Sequence, residues 1–179
     1  MSNPPGMVPE RVMVFIDAMN LYESLKALNV NTNIDFHKLS CKLSCLHRRL
    51  IRVHVYTGIY DQTREPDKYA AQMRFFNQVQ RMPFVTLKTR PLIFRRGGYI
   101  QKGVDTLIAT DMVSMAFLNH YDLSILVSGD GDLAPAVDAV KAAGKQIIAA
   151  MFNRSRSNAV ASSADQEIRL DAGFFVDCY

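Results

Sequence analysis

Short apolar segments recur along the chain, and helical or polar sequence separates each from the next. The first of them, residues 12–16, reads VMVFI, and five apolar residues without alternation are typical of a strand buried on both faces. Strands of that kind occur in parallel sheets that helices cover on both sides. The pattern predicts five such strands, at residues 11–16, 50–57, 83–88, 123–127 and 145–151.

The segments between these strands carry apolar residues at helical spacing. Leu21, Leu25 and Leu28 follow Asp17, whose carboxylate can cap the helix that contains them. Gly144 can end a later helix. Further helices are predicted over residues 35–47, 66–79, 104–118 and 133–143. This alternation predicts the α/β class, as a three-layer sandwich around a mostly parallel, doubly wound sheet.

Two regions depart from the alternation. Residues 92–100 have the pattern of a β-hairpin, in which Gly97 and Gly98 supply the turn. After Phe152 the sequence becomes small and polar, which predicts a loop with a surface helix. Residues 174–176 are predicted to return as an edge strand.

Length and composition indicate one domain. With 179 residues, 49% of them hydrophobic, the chain can bury a sizeable core, and we expect a flexible segment at residues 1–10 before a single domain over residues 11–179. Neither a membrane helix of roughly 20 apolar residues nor a signal peptide is apparent. Three cysteines without a pattern of spacings suit a reducing compartment. We therefore expect a cytoplasmic protein that does not associate with membranes.

Positive charge is concentrated in one segment. The net charge is only +4, but residues 88–102 contain several basic residues and no acidic one, beside Phe94 and Tyr99. Basic side chains can contact phosphates while an aromatic ring stacks on a base. Alternatively, the charges only keep a solvated hairpin edge from pairing with other chains. The candidate substrate-binding residues are Arg90, Arg95, Arg96 and Lys102.

Carboxylates follow two of the predicted strands directly. Asp17 ends the first strand in FIDAMN, and Asp130 and Asp132 follow the fourth in SGDGD. In an open parallel sheet, ligands bind outside the carboxyl ends of the strands, where the strand order reverses. Asp105 opens the helix before the fourth strand, and its N-terminus can lie at the same edge. We therefore expect four carboxylates from three segments to face one cavity.

Such a cluster is typical of a metal site. Like charges that share a site repel each other, so the cluster normally persists because a cation lies among them. Oxygen ligands favour Mg²⁺ or Mn²⁺, held by one or two carboxylates together with water and substrate phosphate oxygens. A bound ion activates water for attack on a phosphodiester and stabilises the leaving oxygen. The candidate metal ligands and catalytic residues are Asp17, Asp105, Asp130 and Asp132.

Each of these residues also has a local interpretation. Asp17, Asp105 and Asp132 lie at helix starts, where a capping aspartate is common, and Asp130 between two glycines favours a turn. Asn20 and Ser128 can satisfy nearby backbone groups. Asp111 lies six residues after Asp105, about 240° around the helix axis, which suits a supporting or surface carboxylate rather than a direct ligand.

Three other site types fit the sequence less well. GDGDLA at residues 129–134 resembles a dinucleotide-binding loop, but its two aspartates would repel a pyrophosphate. Met19 stands where a phosphatase that phosphorylates its own aspartate has a second acid. His37, Cys41 and Cys45 have helical spacing without a fourth zinc ligand, which favours a helix face.

Three motifs together resemble one protein family. FIDAMN at residues 15–20, KGVDTLIATDM at 102–112 and SGDGDLAP at 128–135 resemble the NYN domain family of PIN-like nucleases, in the same order and on the same elements. The resemblance implies a PIN-like, Rossmann-like fold, a divalent metal ion and RNA as the favoured substrate. It places the four aspartates at the family's acidic positions, and its supporting polar positions fall on Asn20, Ser128 and Asp111.

The resemblance leaves several alternatives open. PIN-like nucleases often have another acid between the first and fourth strands, and the candidates here are Asp35, Asp61, Glu65 and Asp67. It also indicates a homodimer, and single-stranded DNA is an alternative to RNA. The main alternative function is a nucleic-acid-binding regulatory or scaffold protein with a weak or silent metal site.

Overall fold

A seven-stranded sheet runs through the molecule in the order β4-β3-β2-β1-β5-β6-β7. The computed structural model describes residues 8–45, 47–95 and 98–179. All neighbouring strands are parallel except β3 and β4, which form an antiparallel hairpin. The strands are β1 (Arg11–Asp17), β2 (Arg49–Ile59), β3 (Val85–Arg95), β4 (Gly98–Gln101), β5 (Leu123–Val127), β6 (Gln146–Phe152) and β7 (Gln166–Leu170).

Helices cover both faces of the sheet. They are α1 (Ala18–Ala27), α2 (Phe36–Ser44), α3 (Pro66–Val79), α4 (Val104–Phe117), α5 (Ala134–Ala142) and α6 (Asn158–Ser163). Successive side chains of a strand point to opposite faces, so β1 supplies Val14 and Ile16 to one core and Met13 and Phe15 to the other. The predicted three-layer α/β sandwich with a mostly parallel sheet is confirmed.

The strand order places a reversal beside β1. From β1 the chain moves outward to β2, β3 and β4, and it then returns to the other side of β1 to form β5, β6 and β7. The carboxyl ends of β1 and β5 therefore flank the point at which an open α/β sheet binds its ligand.

The hairpin differs from the prediction in one respect. The predicted strand at residues 83–88 begins only at Val85, and it continues into the first half of the hairpin as a single long strand, β3. Residues 85–91 of this strand pair with β2, and residues 92–95 pair with β4. Pro91 ends the parallel ladder, where its missing amide is tolerated. Gly98 begins β4 with a φ of +138°, whereas the predicted turn residue Gly97 lies outside the described residues.

The predicted edge strand at residues 174–176 is wrong. The edge strand is β7, and residues 172–175 form a 3₁₀ helix that packs against the core. Phe175 is fully buried there, and its ring stacks on Phe152 with a centroid distance of 5.6 Å. Of the apolar residues that suggested a strand, Phe175 is therefore buried and Phe174 half-buried by helical packing, whereas Val176 is 68% exposed.

Other features of the chain bear on the sequence expectations. Helix α2 ends at Ser44 rather than at residue 47, because Cys45 has a φ of 60°. Gly144 follows the end of α5 with a φ of +75°, a conformation that favours glycine. Residues 1–7, most of the expected flexible segment, lie outside the described residues. In the described part of the chain, no helix has the length and apolar character needed to cross a membrane.

Candidate active site

Asp17 ends β1 at the reversal in strand order. Its side chain is only 4% exposed, and its Oδ1 atom accepts hydrogen bonds from the backbone amides of Met19 and Asn20, each at 3.1 Å. These bonds cap α1 and fix the orientation of the carboxylate. Asp17 therefore caps α1 and also lines an open cavity at this edge of the sheet.

Asp105 and Asp130 reach the same region from other elements. Asp105 lies in the first turn of α4, which begins after Gly103 without a side-chain cap. Asp130 follows β5, and its Oδ1 atom accepts a hydrogen bond from the backbone amide of Asp132 at 2.9 Å, which caps the 3₁₀ helix Gly131–Leu133. Asp132 is the exposed member of the group.

Burial and mutual repulsion raise the pKa values of two of these carboxylates. Burial, opposed by the two backbone hydrogen bonds, and the charges of Asp105 and Asp130 together raise the pKa of Asp17 to about 6. Burial and the charges of Asp130 and Asp132 raise the pKa of Asp105 as well. Asp17, Asp105 and Asp130 therefore lie within electrostatic reach of one another, and Asp132 lies within reach of Asp105.

A cavity of about 500 Å³ opens between these groups. Three of the four aspartates line it, and α1 and the segment after β6 supply much of the remaining wall. Ser24 of α1 and Ser155 lie on this wall with their hydroxyl oxygens 3.2 Å apart. The lining residues are Asp17, Met19, Asn20, Glu23, Ser24, Ala27, Gln101, Asp105, Asp130, Arg154 and Ser155.

Two of the predicted supporting residues organise the loop after β5. The side-chain oxygen of Asn20 accepts a hydrogen bond from the amide of Gly129 at 3.2 Å, and the Ser128 hydroxyl accepts one from the amide of Asp130, also at 3.2 Å. The hydrogen bonds that satisfy these local backbone amides therefore also place Asn20 and Ser128 beside the acids. Both residues help to hold Asp130 at the cavity.

Asp111 contacts a different part of the sheet. Its Oδ2 atom accepts a hydrogen bond from the Tyr56 hydroxyl at 2.7 Å and forms an ion pair with Lys88 at 2.6 Å. Asp111 does not line the acidic cavity. Tyr56 lies on β2, opposite Asp17 in the sheet register. Asp111 therefore binds the strand next to the one that carries Asp17, and it does not face the cavity.

The donor set fits a hard divalent cation with an incomplete protein shell. Among the described residues, no three His, Cys, Asp or Glu side chains are close enough to hold an ion by themselves. Mg²⁺ needs no such cage, because it keeps several waters and binds one or two carboxylates together with substrate phosphates. The oxygen-only acids around the buried Asp17 suit this mode.

The basic residues of the hairpin lie on its exposed surface. Arg90 and Arg95 are exposed on β3, Lys102 is exposed after β4, and Arg96 lies outside the described residues. None of the three described residues lines the acidic cavity, whose wall at this end comes from Gln101. The structure therefore places Lys102 beside the cavity and the two arginines further along the hairpin.

Aromatic rings on the hairpin form a cluster that the sequence did not predict. Tyr99 packs against Phe94 and Tyr60, with centroid distances of 5.2 Å to each. Arg64 lies over the Phe94 ring at 5.8 Å, and Lys68 lies over Tyr60 at 5.6 Å. The positive surface of the hairpin thus extends to the start of α3.

Several residues that line the acidic cavity were not predicted from the sequence. Arg154 and Ser155 lie in the 3₁₀ helix that directly follows β6, so the strand-end rule that indicated Asp17 and Asp130 also indicates them. Glu23 lies three residues after Asn20 on α1 and shares its face. Gln101 accepts a hydrogen bond from the Gly58 amide at 3.1 Å, a contact that only the folded chain reveals.

Three of the four candidates for an additional acid have other partners. Asp35 caps α2, Asp61 binds the Thr63 amide at 2.8 Å, and Glu65 pairs with Lys68 at 3.2 Å. Asp67 lies in the first turn of α3. The acids between β1 and β5 that line the cavity are Asp105 and Glu23, and none of these four candidates is among them.

Comparison with solved structures supports the fold. A protein of unknown function from Vibrio parahaemolyticus is 22% identical, with a TM-score of 0.72 over 91% of this chain and 94% of that one. A putative oxidoreductase from Parabacteroides merdae is 10% identical, with a TM-score of 0.33 over 94% of this chain and 32% of that one, which is too low to indicate common architecture. No curated protein matches this chain significantly.

The family assignment rests on the whole sheet. The model of the NYN domain matches residues 11–171, from the first residue of β1 to the residue after β7. This range includes all four aspartates and every element that positions them. The chain therefore belongs to the NYN domain family of PIN-like nucleases.

Proposed function

We propose that this chain is a metal-dependent nuclease that hydrolyses phosphodiester bonds, with RNA as its substrate and Mg²⁺ or Mn²⁺ as its cofactor. The observation that carries the proposal is the buried Asp17 carboxylate, whose pKa is raised by burial and by the charges of Asp105 and Asp130. These acids border an open cavity at the strand reversal. The NYN family assignment supports the same class of reaction.

Four residues of the acidic cavity have proposed roles. Asp17, Asp105 and Asp130 would hold the ion, with Asp132 at the rim, and a bound ion would supply an activated water and charge stabilisation at the cleaved phosphate. Backbone amides fix the Asp17 carboxylate, so it is preorganised as a ligand. Arg154 also lines the cavity, and it offers a cation to the phosphate that the carboxylates would otherwise repel.

The substrate path follows from the remaining positive charge. Lys102 lies next to the cavity-lining Gln101, and Arg90 and Arg95 continue the basic surface along the hairpin. We propose that Arg90, Arg95, Arg96 and Lys102 bind backbone phosphates of single-stranded RNA. The Phe94 and Tyr99 rings are available for base stacking, since Phe94 is 54% exposed.

The deciding experiment measures cleavage of a labelled single-stranded RNA with Mg²⁺, with Mn²⁺ and with EDTA. We expect cleavage with either metal, none with EDTA, and a loss of at least about a hundredfold in Asp17→Asn. Asp138→Asn is the matched control, because Asp138 is an exposed carboxylate on α5. Equal cleavage by wild type and Asp17→Asn would identify a contaminating nuclease and refute the proposal.

The same assay separates the enzyme from the alternative binding or scaffold protein. Metal-independent RNA binding without cleavage by the wild-type protein would favour that alternative. A single-stranded DNA of the same sequence tests the choice of RNA. Light scattering on the purified protein tests the expected homodimer.

A further inference from the structure

A second cavity, of about 140 Å³, lies beside the acidic cavity. It opens between α1, the segment before α2 and the ring of Phe75 on α3. Its walls are almost entirely apolar, and several of the wall residues belong to the hydrophobic core on that face of the sheet. The wall residues include Leu21, Leu25, Ile34, Phe36 and Phe75.

The two cavities share a wall. Met19 lines both of them, and Ala18, which lines the apolar cavity, directly follows the buried Asp17. A ligand that occupies both spaces therefore carries a negatively charged part at the carboxylates, bridged by the metal, and an apolar part on the other side of Met19. A nucleotide has these two parts, a phosphate and a base.

Thr57 supplies a buried polar group in this apolar cavity. The residue is 7% exposed and continues the inward-facing row of Val53 and Val55 at the carboxyl end of β2. Within the described residues, its hydroxyl donates one hydrogen bond, to the Gly58 carbonyl at 3.5 Å. This distance exceeds the 2.5–3.0 Å of a good O–H···O bond, so the hydroxyl is poorly satisfied without a ligand.

We propose that this cavity binds one pyrimidine base of the single-stranded substrate, next to the phosphate held at the carboxylates. The inference rests on the proposed nuclease function and adds a base preference to it. An apolar protein cavity of about 150 Å³ accommodates benzene, so 140 Å³ suits one six-membered ring. The fused rings of a purine need more space than the cavity offers.

The walls match the surface of a base. The Phe75 ring, partly exposed and packed edge-on to Phe36 with a centroid distance of 6.3 Å, offers an aromatic surface for stacking. The Thr57 hydroxyl both donates and accepts hydrogen bonds, so it pairs with the edge of uracil or of cytosine. The structure thus assigns a preference for pyrimidines over purines without a choice between the two pyrimidines.

The test measures binding of labelled eight-nucleotide oligo(U), oligo(C) and oligo(A) by fluorescence anisotropy with Ca²⁺ in place of Mg²⁺, so that a hard cation is present at the carboxylates. Gel electrophoresis after each titration verifies that the oligonucleotides are intact. Wild type should bind oligo(U) and oligo(C) at least about tenfold more tightly than oligo(A), the range of one stacked base. Thr57→Val removes the hydroxyl at nearly constant volume, and Thr32→Met extends a flexible side chain into the cavity from its rim. Both variants should reduce the preference to about twofold or less.

Thr86→Val is the matched control, because Thr86 pairs with His54 on the neighbouring strand and faces the opposite side of the sheet from Thr57. It should keep the wild-type preference. Melting temperatures establish that each variant is folded. If Thr57→Val is not folded, Thr32→Met alone provides the test. Equal binding of the three oligonucleotides by wild type, or an unchanged preference in the folded variants, would overturn the base site.

The outcomes distinguish the base site from the nuclease function. A protein that cleaves RNA with metal but binds all three oligonucleotides equally retains the proposed function and loses the base site. A protein that prefers pyrimidines through Thr57 but never cleaves retains the base site as a recognition element and loses the nuclease proposal. Free uridine should also compete with oligo(U) more strongly than adenosine does.

Discussion

The side-chain oxygen of Asn20 accepts a hydrogen bond from the backbone amide of Gly129 at 3.2 Å, which joins the start of α1 to the loop after β5. The opposite side of that loop is equally constrained. A Cβ atom on Gly129 would lie 1.6 Å from the backbone carbonyl oxygen of Ser155. The loop that carries Asp130 is therefore held between α1 and the segment after β6.

Gly129→Ala should displace this loop, because the clash is with a backbone atom that a side-chain rotation cannot relieve. We expect a loss of about 3 kcal/mol in the free energy of unfolding and loss of RNA cleavage. Urea unfolding and the cleavage assay measure the two effects. Gly131→Ala is the control, since its Cβ would lie 3.1 Å from the Ser157 hydroxyl, which can rotate away. Equal stability of the two variants would contradict the close approach at Gly129.

Asp105→Asn tests repulsion within the acidic site. Burial and the charges of Asp130 and Asp132 raise the pKa of Asp105, so its neutral substitute should melt at an equal or higher temperature in EDTA. Mg²⁺ at about ten times its dissociation constant should raise the wild-type melting temperature by roughly 3–6 °C. The variant should lose this increase, whereas Asp138→Asn should keep it. A variant that melts several degrees lower in EDTA would give Asp105 a structural role instead.

His54 should make the protein less stable in acid. Burial, together with the nearby charge of Lys88, lowers the pKa of His54 to about 4 from the ordinary value of 6.5. Between those values the unfolded chain binds a proton that the folded chain does not, so the free energy of unfolding falls as the pH falls. The expected loss from pH 7 to pH 4 is roughly 3 kcal/mol.

His54→Phe should remove this loss while it preserves the stacking on Phe15, whose ring centroid lies 5.5 Å from that of His54. Neither His54 ring nitrogen has a hydrogen-bond partner among the described residues, so the phenylalanine should also stabilise the protein at pH 7. Urea unfolding between pH 7 and pH 4.5 gives the comparison. His120→Phe, at an exposed position, is the control. Parallel pH profiles of wild type and His54→Phe would show that another group causes the decline.

Charge reversal on the hairpin tests the RNA path. Arg95→Glu/Lys102→Glu should weaken binding of single-stranded RNA and lower the slope of log affinity against log salt by roughly 0.7 for each phosphate that the variant no longer neutralises. Anisotropy titrations in EDTA across a salt series measure both quantities. Arg81→Glu is the control, because Arg81 is exposed near the amino end of β3, opposite the cavity edge. A double variant that binds like wild type at every salt concentration would remove the hairpin from the path.

The sequence alone determined most of the elements and the sheet edge that carries the acids, although it did not reveal β7. Uninterrupted apolar runs such as residues 12–16 identified buried parallel strands, since strands that are covered on both faces have this pattern. The positions of Asp17 and Asp130 at strand ends then indicated a common edge. The apolar residues 174–176 misled the same reasoning, because burial against Phe152 favours a short 3₁₀ helix as readily as a strand.

Only the tertiary structure decided which side chains share a space. Helical spacing separated Asp111 from Asp105, but its binding to Tyr56 and Lys88 depends on strands that lie far away in the sequence. Arg154 and Thr57 likewise reach their cavities through strand order and register, which local patterns do not encode. Sequence periodicity reports which face of an element is buried, whereas a cavity depends on how those faces meet.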